Sequence, residues 1–209
     1  MNQVSDLKSQ DRPKTSRGRR TQAKLLEAAE AEFGERGFHD AAISGITTRA
    51  GVAMGTFYNY FESKEEIFRV LVEFMGKRTR SHIAQHIANI SDRLEAEKAG
   101  LIAFLNFAKG QKNLYRIVME AQFVAEDAYK RYYYDFANAY RSNLDAAAKS
   151  GQIREGDNDV RAWGLIGLSV FLGLRFAVWD ERESADKIAE TVMSMLSDGL
   201  SPDGAGDSN

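Results

Sequence analysis

The sequence predicts an all-α fold of about nine helices, with a three-helix unit holding a helix-turn-helix near the N-terminus and a larger helical domain after it. Three observations predict it. Both prolines, Pro13 and Pro202, lie near the ends, so from Arg17 to Ser201 no residue removes a helix donor or clashes with the preceding turn. Apolar residues recur at spacings of three and four rather than two, the period of a helix with one buried face. Two short segments, Ile43 to Ala50 and Ala53 to Tyr60, are joined by Gly51-Val52, the layout of a helix-turn-helix.

The elements follow in order. A first helix from Thr21 to Arg36 aligns Leu25, Leu26, Ala29 and Phe33, and Gly37 is placed to end it in a left-handed cap. After the two short segments a fourth helix starts at Ser63, where Ser63 and Glu66 form the Ser-x-x-Glu capping box and Ile67, Val70, Leu71, Phe74 and Met75 make one stripe. Beyond His82 come a helix with Leu94, Leu101, Ile102, Leu105 and Ala108, and a run from Leu114 to Phe123 after Gly110. A long helix then carries Tyr129, Tyr132, Tyr133, Phe136, Tyr140 and Leu144 up to Gly151. Two more run from Val160 to Trp179 and from Ser184 to Leu196. The expected units are a disordered basic arm (1–16), a helix-turn-helix domain (17–77, motif 42–61), a larger helical domain (78–198) and a disordered tail (199–209).

Composition excludes several classes. There is no cysteine, which removes disulfides, thiolate metal sites and cysteine nucleophiles together. The opening MNQVSDLKSQ has no apolar core of a secretory signal, so a cytoplasmic protein is expected. The uncharged stretch Ala162 to Leu174 is shorter than the roughly 20 residues of a membrane span, and no membrane partner is expected. Of the three histidines, His82 and His86 stand four apart without the glutamate of a His-Glu-x-x-His pattern, and no nucleophile elbow or phosphate loop is present. Neither enzyme activity, nor a metal, nor a cofactor is expected.

The formal net charge of -2 hides an uneven distribution, with Lys8, Arg12, Lys14, Arg17, Arg19 and Arg20 gathered at one end against Asp6 and Asp11. A basic arm beside a helix-turn-helix points to DNA. Ile46, Val52 and Phe57 face inward, leaving Met54, Gly55, Thr56, Tyr58 and Asn59 outward on the second helix of the motif. There the hydroxyls and the amide meet phosphates or base edges, and Gly55 permits close approach. Thr47, Arg49 and Lys64 are expected to clamp the backbone, with Arg19 and Arg20 adding phosphate contacts from the arm.

The runs AKLLEAAEAEFGERGF and ISGITTRAGVAMGTFYNYFESKEEIF resemble the DNA-binding domain of the TetR family of bacterial regulators, with Phe33, Gly37, Ile46, Ala50-Gly51-Val52, Gly55-Thr56, Tyr58, Phe61 and Lys64 in matching positions. The resemblance implies an all-helical homodimer on a palindromic double-stranded operator, a C-terminal domain that binds a small-molecule effector, and repression relieved by that effector. It also implies that the last two helices form the dimer interface, for which Trp163, Leu168, Phe171, Met193 and Leu196 are the candidates. Two positions depart from the pattern. Ala42 and Ala53 stand where the family carries hydroxyls that cap the helices or touch phosphate.

The later domain is rich in aromatics, which serve either as core or as the wall of an apolar ligand site. Arg116 and Arg175 sit in apolar runs and require an anion, either a protein carboxylate such as Glu120 or a ligand's acid group. Arg116, Glu120, Phe123, Tyr133, Trp163 and Arg175 are therefore the candidate effector residues, for an aromatic or fatty acid or its thioester. Effector binding is expected to shift the Ser63 to Lys77 helix. The alternative is a helical ligand-binding or scaffold dimer that has lost operator binding.

Overall fold

The computed structural model describes residues 15–198, which form nine α-helices and no strand. The arm positions Lys8, Arg12 and Lys14, and the tail 199–209, lie outside the described residues. Helix α1 (Ser16–Asp40) starts five residues earlier than periodicity suggested, because Thr15 caps it: its Oγ1 accepts from the Gly18 N–H at 3.1 Å. Gly37 has the expected positive φ of 77°, but with ψ of 169° it is extended rather than left-handed helical, so the chain kinks and makes one further turn to Asp40. Helices α2 (Ile43–Ala50) and α3 (Met54–Tyr58) follow, and Gly51, at φ 66° and ψ 38°, closes α2 with its N–H on the Thr47 and Thr48 carbonyls.

Helix α4 (Lys64–Ile87) begins at the Ser63 cap, where Ser63 Oγ accepts from Glu66 N–H and the Glu66 carboxylate accepts from the Glu62 N–H. It runs far past residue 77, so the expected boundary between the two units falls inside one continuous helix. Four helices follow: α5 (Arg93–Gly110), α6 (Lys112–Val124), α7 (Glu126–Lys149) and α8 (Asn158–Gly173). A π-helical turn over Leu174–Trp179 extends α8, and α9 (Ala185–Asp198) closes the described chain.

Two apolar cores hold these elements. One joins Phe33, Phe57, Phe61, Ile67, Phe68 and Leu71 of α1 to α4 with Ile117, Val118 and Ala121 of α6 and Tyr132 of α7. The Phe68 ring meets Phe33 and Phe38 edge-on, each at 5.0 Å. The helix-turn-helix unit therefore shares its core with the larger domain. The second core packs Leu101, Phe104 and Leu105 of α5 against Tyr115, Ala177, Ile188 and Val192. The stretch Asn158–Trp179 is long and apolar enough to cross a membrane by length and composition, because the helix carries the uncharged run 162–174 on at both ends, past Arg161 and Arg175. Most of it is not buried within the chain.

Candidate nucleic-acid interface and effector cavity

The motif stands on a rigid base. Phe57 and Phe61 are fully buried and anchor α3, while Met54 is 43% exposed, Tyr58 55% exposed, and Gly55 and Asn59 also face outward. A side chain added at Gly55 would meet open space, so the backbone here is approachable. Thr56 is half-buried. Neither Ala42 nor Ala53 supplies a side-chain cap, and both helices of the motif start with their first N–H groups uncapped by a side chain. Arg17, Arg19 and Arg20 all lie exposed on the first turns of α1.

Three expected phosphate contacts are placed otherwise. Thr47 is buried, its hydroxyl donating to the Ser44 carbonyl at 3.1 Å, and Thr48 is the exposed threonine of the pair. Arg49 donates to Glu32 at 2.8 Å and to Glu35 at 3.2 Å, which holds its guanidinium firmly charged and committed to α1. Glu32 is itself buried and also pairs with Arg36. Lys64 donates to the carbonyls of Phe38, His39 and Ala41 at 2.8, 3.2 and 3.0 Å, and its ammonium lies over the Phe38 ring. It satisfies the orphan carbonyls at the end of α1, a role visible only once α1 and α4 are placed together.

A cavity of about 340 Å3 opens between α6, α7 and α8. Its wall is aromatic: Phe104, Tyr115, Tyr129, Tyr132, Tyr133, Tyr134, Trp163 and Phe171, with Lys130 the one charged residue on it. Tyr115 crosses the wall to donate to the Val170 carbonyl at 2.8 Å, next to the start of the π-helical turn. Burial pushes the Tyr132 hydroxyl up to about 12 and raises those of Tyr115 and Tyr133 further. These phenols remain neutral hydrogen-bonding groups at physiological pH. Trp163 stands edge-on to Tyr134 at 5.6 Å at the exposed side.

Of the expected effector residues, Tyr133 and Trp163 line this cavity; Arg116, Glu120, Phe123 and Arg175 do not. Arg116 donates to the Gly34 and Glu35 carbonyls at 3.1 and 2.8 Å, and Glu120 accepts the Phe38 N–H at 2.8 Å. Both sit on the face of α6 turned to α1, where the carbonyls supply Arg116 with acceptors and Glu120 supplies its anion at 3.8 Å. Phe123 is 86% exposed, and Arg175 pairs with Asp180 at 3.3 Å above the Phe176 ring. The interface candidates divide. Trp163 and Phe171 are on the cavity wall, Leu168 and Leu196 line a groove on another side of α8, and Met193 is half-buried on α9. Sequence reasoning missed Met119 and Lys130 at the cavity; the position of Met119 four after Tyr115 on the same helix face was the available signal.

The His82 and His86 rings lie tilted with centroids 4.3 Å apart and His82 against Phe107, and burial lowers the His82 basicity. Among the described residues no group of three or more potential metal ligands gathers.

Residues 25–71 match the model of the family described as bacterial regulatory proteins, tetR family. Over 194 residues the chain is 31% identical to the HTH-type transcriptional regulator YdgC of Bacillus subtilis strain 168, spanning 90% of this chain and 97% of that one. Over 102 residues it is 30% identical to the HTH-type transcriptional activator FasR of Mycolicibacterium smegmatis, 49% of this chain and 47% of that one. The transcriptional regulator FadR from Bacillus subtilis, solved in complex with stearoyl-CoA, shares the fold at a TM-score of 0.72 and 22% identity, covering 86% of this chain and 99% of that one.

Proposed function

Because the chain belongs to the TetR family of bacterial regulatory proteins, as its 31% identity across nearly the whole of YdgC requires, we propose that it is a cytoplasmic homodimeric repressor released from a palindromic operator by an apolar effector. The observation that carries the DNA half is the outward face of α3: Met54, Gly55, Tyr58 and Asn59, with half-buried Thr56, project from a unit anchored by fully buried Ile46, Phe57 and Phe61. With Arg49 and Lys64 committed to α1, the charge that meets phosphate comes from the N-terminal turns of α1, including Arg19 and Arg20.

The effector half rests on the aromatic cavity. Its size and lining suit an apolar chain or ring, and the FadR structure's stearoyl-CoA supports a ligand of acyl character. The cavity's α6 wall carries Leu114, Tyr115, Val118 and Met119, while the opposite face of α6 carries Arg116 and Glu120 on α1. A ligand that prefers one setting of α6 thereby shifts the DNA-reading unit, and only through its differential affinity for the two settings. The apolar side of α8, with Val160 66% and Phe171 71% exposed, supports pairing with a second copy.

Selection of bound duplexes from a random pool at roughly physiological salt, where nonspecific phosphate binding is weakened, tests the reading. An enriched palindrome is expected. A folded dimer that enriches nothing would sink it in favour of a scaffold that has lost operator binding, for which the uncapped starts at Ala42 and Ala53 are the motive.

A further inference from the structure

Two smaller spaces lie next to the aromatic cavity. A small chamber of about 50 Å3 shares Phe104, Tyr132, Tyr133, Ile166 and Val170 with it. A third chamber of about 100 Å3, between α4, α5 and α7, shares Ile83, Gly100, Phe136 and Tyr140 with the second. The three spaces follow one another from the Lys130 side of the molecule to α4, each sharing wall residues with the next.

The far chamber has different chemistry. Arg80, Arg93, Tyr140 and Asn143 join its aliphatic wall. Arg80 Nη2 donates to Asp135 at 3.0 Å and Arg93 Nη2 pairs with Glu97 at 3.0 Å, yet Arg80 Nη1 and Arg93 Nε are buried and meet no protein acceptor. A buried donor without an acceptor costs about 1–3 kcal/mol, more on a charged group, so two of them at one chamber call for an explanation. Glu97 meets Arg93 through Nη2, and its other oxygen is already taken by the Tyr140 hydroxyl at 2.5 Å, so it leaves Arg93 Nε open.

We propose that the effector is an elongated alkyl carboxylate whose chain occupies the aromatic cavity and whose carboxylate accepts hydrogen bonds from Arg80 and Arg93 in the chamber between α4, α5 and α7. The inference rests on the reading of the aromatic cavity as the effector site. Guanidinium forks match a carboxylate's two oxygens, and Asp135 and Glu97 already balance the two positive charges, so the ligand supplies acceptors rather than the first counter-charge. The chamber's size admits a carboxylate and excludes a nucleotide thioester, whose head would have to remain outside, on the Lys130 side. The head group then bears on α4, the helix that enters the DNA-reading unit, while the chain bears on α6.

The test uses the full chain titrated with dodecanoate, dodecan-1-ol and dodecanoyl-CoA by calorimetry, for wild type and Arg80→Gln. Dodecanoate is expected to bind the wild type most tightly, and Arg80→Gln to weaken it at least tenfold while dodecan-1-ol changes less than twofold. Arg93→Gln, placed on the neighbouring helix, is expected to reproduce the acid-selective loss, and serves should Arg80→Gln fail to fold. Equal losses for acid and alcohol, or no loss for either, overturn the head-group site. Tight dodecanoyl-CoA binding indifferent to Arg80 overturns it while leaving the cavity as the effector site. Failure of all three probes to bind the wild type overturns both.

Discussion

Gly37 holds the backbone at φ 77° and ψ 169°, a conformation that L side chains rarely adopt, and a Cβ there would stand 2.6 Å from Glu120 Oε1 and 2.9 Å from Arg116 Nη2. Strain and crowding act together, so Gly37→Ala is expected to destabilise the chain by about 1–3 kcal/mol in urea unfolding. An unchanged midpoint would mean that the turn relaxes without loss. The motif's missing caps run the other way. Ala53 already has the extended backbone of an N-cap at φ -69° and ψ 150°, and Ala53→Ser is expected to add about 1 kcal/mol by giving α3 an acceptor for its first N–H groups. The same unfolding experiment reads it. On the proposed reading, with Arg49 and Lys64 turned to α1, phosphate attraction falls to residues such as Arg20. Arg20→Ala is expected to reduce the slope of log binding constant against log salt by about 1 per protomer, without altering which duplex is chosen.

Helix α6 carries two duties on two faces. Val118 and Met119 line the cavity, and Glu120 and Arg116 reach the turn at the end of α1. The Glu120 bond to the Phe38 N–H is charge-assisted and ties α6 to the end of α1 within the first core. Glu120→Ala is expected to accelerate exchange of the Phe38 amide about tenfold to a hundredfold, the equivalent of a charged hydrogen bond, with Glu120→Gln restoring part of the protection. Equal exchange in all three proteins would remove this bond from the coupling route. These long-range partners also mark where the sequence ceases to be legible. The Ser63-Glu66 cap and the positive φ of Gly51 depend on residues within four positions and could be read directly. Glu120 and Phe38 are 82 positions apart, and Lys64 lies 26 from the Phe38 carbonyl, so an arginine or lysine in an apolar run announced only that it needed a partner. Tyr133 and Trp163 were legible as a wall because aromatics at helical spacing share a face. Nothing in the sequence marked the π-helical turn after Gly173, nor the early start of α1 at Ser16, whose cap Thr15 lies well before the first apolar repeat.

Across the whole molecule, the tyrosines that build the cavity and its extension also tie its stability to pH. Tyr115, Tyr132, Tyr133 and Tyr140 all have their hydroxyls raised, burial being the largest cause in each, with Tyr132 pushed up to about 12. In the unfolded chain these phenols ionise near pH 10, about their ordinary value. Below that pH both states hold the protons and the tyrosines give no pH dependence. Above it the unfolded chain releases protons that the folded chain retains, so stability falls as pH rises from about 10 toward the folded values. Because the four residues span α6 and α7 and touch both cores, their ionisation should accompany loss of the fold rather than precede it. Tyrosinate absorbance and far-ultraviolet circular dichroism, followed together in an alkaline titration, are expected to show coincident transitions for this set. Tyr132→Phe, which keeps the ring and removes the hydroxyl, is expected to move the transition to higher pH. Full ionisation with helicity intact would mean that the cavity admits water freely and that its phenols are less shielded than their burial indicates.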